Sequence, residues 1–572
     1  MPSDEARSPN RAQVNTGPDD GPIEPWKPEE HDNSRKREFP WEFFNVFSIV
    51  VVSLRKMLLK LKFHQLARAL AILDRRISVQ LTYIEMQHGR RRSAMDDFEV
   101  DADRNVSAPA LWVVELYPPS EAHSLLRAFA KNRWEAETVQ VGFTPPNASV
   151  ASDSRAAATY PWWTVCDLAN NKSQRWTPGA TRTRLPDEFD RIKITGLQVG
   201  RGITALLAYF TVSEASSKYL NDTWHRTYTP KIIRRRGQLA QAQGPAWVAF
   251  QRTQLAREEL HVAARAWMSS HAPGAFASSQ KPQPLFGSLF FGGFGPTKEV
   301  DFEGNNQLRA LGIKNLDIDY ILSDELPGLA FEPADSVTVK DMTTRATWTL
   351  WGDRETFYDG HPHVREEGGR HESHIAQIVD THARNVLVQI ANTHFLEVLQ
   401  ERFASVRDTA RTQNRHASAR SLRALREELV TLSLDTSSAN SDLKAFNRIL
   451  REVRYEMDVR FTKRSAPWIE ENDRSHHRTL IPRRDFSRQI SKQQRATLKE
   501  LVAAERDTRT ILTAAASITA ALQGLQASKV ARWIAFVSLA VAVLAFLLAD
   551  PTGNTRISWI RSWWFASWNS RG

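Results

Sequence analysis

The densest group of chemistry-bearing side chains lies between residues 361 and 382. Five of the 16 histidines fall in those 22 residues: His361, His363, His371, His374 and His382. Glu366, Glu367, Glu372 and Asp380 stand among them. Imidazole and carboxylate together are ligands for zinc or a similar divalent ion. The five histidines are therefore the candidate metal ligands, and a metal-dependent enzyme is one reading of the chain. His-Glu-x-x-His, which puts two imidazoles on one helical face, is absent, because the sequence here reads His371-Glu372-Ser373-His374. The blander reading is a polar, solvated loop that leads into a helix.

Other catalytic patterns are missing. There is no Gly-x-Ser-x-Gly elbow, no dinucleotide glycine fingerprint and no kinase set. Gly295-Pro296-Thr297-Lys298 invites a phosphate-loop reading, but its lysine follows the threonine and Pro296 lacks the amide a phosphate cradle uses. The single cysteine, Cys166, follows Trp162-Trp163-Thr164-Val165 in a short apolar stretch and is expected to be a buried thiol. These absences weigh against an enzyme, and no cofactor is named by any motif.

The elements that must position such residues follow from pattern and composition. The chain has 572 residues, 25% charged and 41% hydrophobic, with a net charge of +11. That is ordinary globular usage spread over more than one core. Basic residues come in short clusters, such as Arg90-Arg91-Arg92 and Arg234-Arg235-Arg236, without the aromatic platforms of a nucleic-acid interface. No nucleic-acid partner is expected.

Residues 1–38 are polar and rich in Pro, Asp and Glu, and are expected to be disordered. Residues 40–92 form an amphipathic helical segment, with an apolar run at 43–54 that is too short to span a bilayer. It reads either as a helix packed on a core or partner, or as a helix on a membrane surface. Residues 108–228 read as an α/β domain. In it a strand at 110–117 is followed by a helix capped by Ser120, and strands at 190–199 and 203–212 are followed by a helix capped by Ser213. Strand, serine cap and helix, twice over, points to a split βαβ, ferredoxin-like arrangement. Stretches 145–158 and 170–186 are expected to be loops. A helical connector at 231–275, broken at Gly244-Pro245, leads to a smaller β-containing unit at 280–358 with strands at 336–340 and 346–351.

From 371 to 529 the chain reads as a helical bundle, with pieces at 371–411, 418–434, 439–463 and a stalk from 485. Leu501, Ala504, Thr508, Ile511, Ala515, Ile518, Leu522 and Leu525 alternate three and four residues apart, a heptad seam for a coiled coil. That seam fits the 439–463 helix of the same chain, or other copies in a homo-oligomer. It runs without a break into 530–549, 20 residues in which Arg532 is the only charge. About 20 apolar residues cross a bilayer. Arg532 and Trp533 suit the headgroup boundary. The tail, 550–572, interleaves Trp559, Trp563, Trp564 and Trp568 with arginines and reads as an interfacial contact.

The fold class expected is therefore α+β: an N-terminal α/β region, then a helical bundle whose long stalk helix enters one C-terminal transmembrane helix. The lipid bilayer is the expected partner, at an inner or plasma membrane. With no leader sequence and a lone thiol, the bulk of the chain is expected to be cytoplasmic.

This layout resembles CorA-type magnesium channels. The stalk Leu501–Leu525 enters the span, and Pro551-Thr552-Gly553-Asn554 stands where that family has Gly-Met-Asn, without the methionine. The resemblance implies an ion-channel or transporter subunit. The stretch 189–214 also resembles one found in large uncharacterised bacterial membrane proteins, which implies no activity. The leading expectation is a membrane-anchored interaction, scaffold or sensor protein.

Overall fold

In a computed structural model of the chain, the residues described are 41–87, 98–134, 146–157, 162–173, 179–233, 241–313, 319–334, 346–361, 372–413, 419–452, 460–472, 482–548 and 563–564. Expectations for 1–38, for a strand at 336–340 and for nearly all of 550–572 lie outside them.

Two helices come first, α1 (Trp41–Lys60) and α2 (His64–Gln87). Next are β1 (Val106–Ser107), β2 (Ala110–Tyr117), α3 (Ala122–Asn132), α4 (Asn147–Ala157), β3 (Trp162–Asn170) and β4 (Thr181–Thr183). β5 (Phe189–Gln198), β6 (Thr204–Val212) and α5 (Glu214–Trp224) follow. A small hairpin, β7 (Lys231–Ile233) and β8 (Gln241–Gln243), leads into α6 (Pro245–His271) and α7 (Ala275–Ser278). Then come β9 (Leu285–Phe291), α8 (Phe302–Ala310), β10 (Asp319–Leu322), β11 (Leu329–Pro333), β12 (Thr347–Asp353) and α9 (Arg354–Gly360). The C-terminal part holds α10 (Glu372–Gln413), α11 (Ala419–Glu452), β13 (Thr462–Ser465), α12 (Pro467–Asn472), β14 (Arg484–Asp485) and α13 (Phe486–Leu548).

Strands from both expected β regions join one mixed sheet, in the order β14-β13-β10-β11-β12-β9-β2-β6-β5-β3-β4, with β1 beside β9. β2 is the bridge between its halves, antiparallel to both β6 and β9. β9 and β12 are parallel neighbours. The split βαβ expectation for 108–228 is corrected by this order. β2 and β3, joined through α3 and α4, lie antiparallel with β6 and β5 between them.

Alternate residues of β2 feed two cores, as a strand's period of two requires. Trp112, Val114 and Leu116 face the bundle helices α10, α11 and α13. Leu111, Val113 and Tyr117 face α3 and α6. A third core packs α6 and α8 on the β10–β12 side, around Phe291, Tyr320 and Trp351. The sheet is thus sandwiched between two helical layers.

Several local expectations change. Residues 147–157 are helical, not a loop. Gly244-Pro245 begins α6 instead of breaking it, since proline is at home in a helix's first turn. The pieces expected at 418–434 and 439–463 are joined through 435–438 into one helix that is described to Glu452, and Thr462–Ser465 is a strand instead of the end of that helix. Ser213 caps α5 by accepting the Ser216 N–H, whereas Ser120 does not cap α3; its hydroxyl donates to Asp435 of α11 at 2.7 Å.

Candidate membrane interface and the frame that positions it

Among the candidate ligands, His363 and His371 lie outside the described residues. His361 closes α9, with its ring stacked on Phe357 at 4.5 Å between centroids. His374 and His382 share α10, eight residues apart. That is about 12 Å along a helix, too far for both to reach one ion at ligand distance. Among the described residues no group of three or more His, Cys, Asp or Glu side chains could hold a metal.

The apolar stretch is different. Among the described residues one helix, over Ala527–Ala545, is long and apolar enough to cross a membrane, and none of that segment is buried in the protein. Trp533 is 72% exposed and Phe536 71%. Ile534, Leu539, Val541 and Leu544 are exposed as well, so apolar side chains point to every side of α13. A helix apolar all round needs an apolar surround. Trp563 and Trp564 are also exposed, while Trp559 and Trp568 lie outside the described residues. Arg532 stands exposed one residue before Trp533.

This segment is positioned by a three-helix bundle. Phe486, at the start of α13, packs edge-on against Trp348 of β12 and Phe331 of β11. Then Leu501 and Leu512 are buried in the bundle core, with Ala504 and Ile511 packed against it. The first half of the heptad seam is therefore spent within the chain, against α10 and α11. Side chains of Ala515, Ile518, Leu522 and Leu525 lie outside the described ones.

A buried polar network sits across the three helices. Gln389 Nε2 of α10 donates to Asn447 Oδ1 of α11 at 2.7 Å, and to Ser491 of α13 at 3.2 Å. Asn447 Nδ2 donates to Gln494 Oε1 at 2.7 Å, and Gln494 Nε2 returns to the Gln389 carbonyl at 2.8 Å. These directional bonds link all three helices and so fix their register, with the Gln389 Oε1 left buried without a partner.

Two carboxylates on α11 bolt the bundle to one edge of the sheet. Asp435 accepts from the Ser120 hydroxyl and main chain, just after β2. Burial raises its pKa, and those Ser120 bonds pull it back. Seven residues on, Asp442 accepts the main-chain N–H groups of Arg201, Gly202 and Ile203, in the turn between β5 and β6. Glycine is required there, because a Cβ on Gly202 would lie 2.6 Å from that of Ser438.

Other buried titratable groups hold the sheet and not an open site. Glu115 on β2 collects the Phe276 and Leu116 N–H groups and the Gln283 side chain. Burial outweighs these bonds and raises its pKa to about 7. On α6, Arg257, His261 and Arg265 recur four residues apart and are buried against the sheet. Arg257 donates to the Leu311 carbonyl and the Thr349 hydroxyl, and Arg265 reaches Thr347 at 2.8 Å. Burial lowers His261 to about 4. Cys166 is buried in β3.

None of these carboxylates, amides or α6 cations was expected from the sequence. The only signal was polar residues at buried helical positions, which read equally well as a solvated face. No family model, curated protein or solved structure matches the chain.

Proposed function

We propose that this chain is a membrane-anchored protein of interaction, scaffold or sensor type, with its α/β head held by α13 at an inner or plasma membrane. The head lies on the cytoplasmic side. The supporting observation is the continuity of α13. One helix of 63 residues starts on the sheet, passes through the bundle and ends in a fully exposed apolar segment. At 1.5 Å per residue its length is roughly 95 Å. From Leu512, buried in the bundle, to Ala527 is about 22 Å of further helix, which holds the head clear of the headgroups. Apolar residues on all sides of the span favour contact with lipid over the lining of a polar pore, as a channel subunit would need.

Alkaline carbonate washing of membranes from cells expressing the full chain tests the reading. The chain is expected to stay in the pellet and to be released by detergent. Leu539→Arg, at the centre of the span, adds about 2.5–3.5 kcal/mol to insertion and is expected to shift a large share to the wash. Recovery of the unaltered chain in the supernatant without detergent would sink the proposal.

A further inference from the structure

Among the described residues, a run of exposed apolar side chains outside the span stands at the other end of the chain. Helices α1 and α2 fold back on each other, with Val51 and Ala67 buried and Arg55 paired to Asp74 at 3.6 Å. α2 packs on the β7–β8 hairpin as well as on α1, and Ile77 and Ile84 in its C-terminal half are buried. Its N-terminal half and the outer face of α1 carry exposed apolar side chains. Val46, Val50, Leu54 and Met57 form one stripe on α1, 44–61% exposed, and Phe63 and Leu66 continue it round the turn. The α2 seam is therefore half docked and half bare.

Charge decides what covers the bare half. Over the two helices and their turn, residues 41–87, there are seven basic residues and three acidic, Glu42, Asp74 and Glu85, and Asp74 is itself paired to Arg55. An apolar stripe bordered by lysine and arginine is the composition of a helix lying in an anionic lipid surface. We infer that the α1–α2 hairpin is a second membrane contact, one that recognises anionic headgroups from the surface without crossing.

Its place in the fold says which surface. α6 runs antiparallel to β12, with Arg265 at Thr347 and Arg257 at Thr349, so its N-terminus and the β7–β8 hairpin lie beyond the carboxyl ends of β9 and β12. The bundle leaves by the opposite edge, where Glu401 of α10 pairs with Lys281, ahead of β9. The hairpin and the span thus leave opposite edges of the sheet. The lipid that the hairpin reaches belongs to a facing surface, and the chain would tether the two.

The inference rests on α13 occupying a bilayer, so that is measured first. The full chain is placed in phosphatidylcholine nanodiscs, and incorporation is read by size-exclusion chromatography. The discs are then floated with vesicles of phosphatidylcholine alone, or of phosphatidylcholine with phosphatidylserine. Discs carrying the chain are expected to float with the anionic vesicles at least about tenfold more than with the neutral ones, and salt should weaken the effect. Val50→Glu with Leu54→Glu should bring flotation to background. So should Lys56→Glu with Lys60→Glu, which leaves the apolar stripe and the Arg55–Asp74 pair in place. Equal flotation with both vesicles, or variants that float like the parent chain, would overturn the lipid assignment. Disc-to-disc association without vesicles, lost in Val50→Glu, would also overturn it and assign the face to a second copy. A chain that does not enter discs counts against the α13 span. The hairpin is then read by floating the chain itself with the same vesicles.

Discussion

Asp442 of α11 accepts the main-chain N–H of Gly202 at 2.8 Å, and its carboxylate serves Arg201 and Ile203 as well. Three amides of a strand turn are thereby satisfied by one side chain from a helix 240 residues away in sequence. Asp442→Ala leaves those donors without their acceptor, a loss of about 1–3 kcal/mol for each buried group left unmade. The expected result is a lower unfolding temperature in mild detergent and faster amide hydrogen exchange at 201–203. Unchanged exchange there would show that the turn holds itself.

Glu115 makes stability depend on pH in an unusual direction for a carboxylate. Its pKa is raised from 4.5 to about 7, chiefly by burial, so the folded chain binds its proton more tightly than the unfolded one does. The stability it contributes is full below about pH 4.5 and is lost as pH rises through about 7. His261, lowered from 6.5 to about 4, works the other way: its contribution is present above 6.5 and lost as pH falls through about 4. Glu115→Gln is therefore expected to flatten the decline between about pH 4.5 and 7, a change of up to roughly 3 kcal/mol. Equilibrium unfolding of both proteins across that range checks it. Parallel curves would remove Glu115 as the cause.

The Gln389–Asn447–Gln494 network should behave as a unit. Gln494→Leu alone leaves the Asn447 Nδ2 donor without its acceptor and takes a donor from the Gln389 carbonyl, and is expected to destabilise by about 1–3 kcal/mol. Replacing all three by Leu removes the stranded groups and should recover most of that loss, while loosening the helix register. A mutant cycle on unfolding free energies reads the coupling, and additive losses would contradict it.

Parts of this architecture were legible from local pattern. The β2 strand is the apolar run 110–117, and α13 follows from the seam and the uncharged stretch after it, both within a residue of the observed bounds. What local pattern could not carry was long-range pairing. β2 meets β9 across more than 170 residues, and nothing in either strand names its neighbour. Asp435-Thr436-Ser437-Ser438 read as a break because these residues favour caps and turns. In the fold, Asp435 spends its acceptors on Ser120, so the helix continues. Ser120 looked like a cap for the same reason and serves that other end. Helix α4 hid because its sequence, NASVASDSRAA, has little apolar surface; Ala151 and Asn147 are buried in it, and Asn147 bonds Trp134 and Val165. The metal expectation came from counting histidines along the chain; of the five, His374 and His382 are spread along one helix, and His363 and His371 lie outside the described residues.

The unbroken course of α13 has a mechanical consequence. In the membrane-anchored arrangement proposed above, a rod of roughly 95 Å held by lipid at one end and by the sheet at the other is a lever. Tilting it by about 5° in the bilayer swings its far end through roughly 8 Å, more than one helical turn. In that arrangement, thinning or thickening of the membrane, which changes helix tilt, would be converted into displacement at Phe486, where the rod meets Trp348 and Phe331.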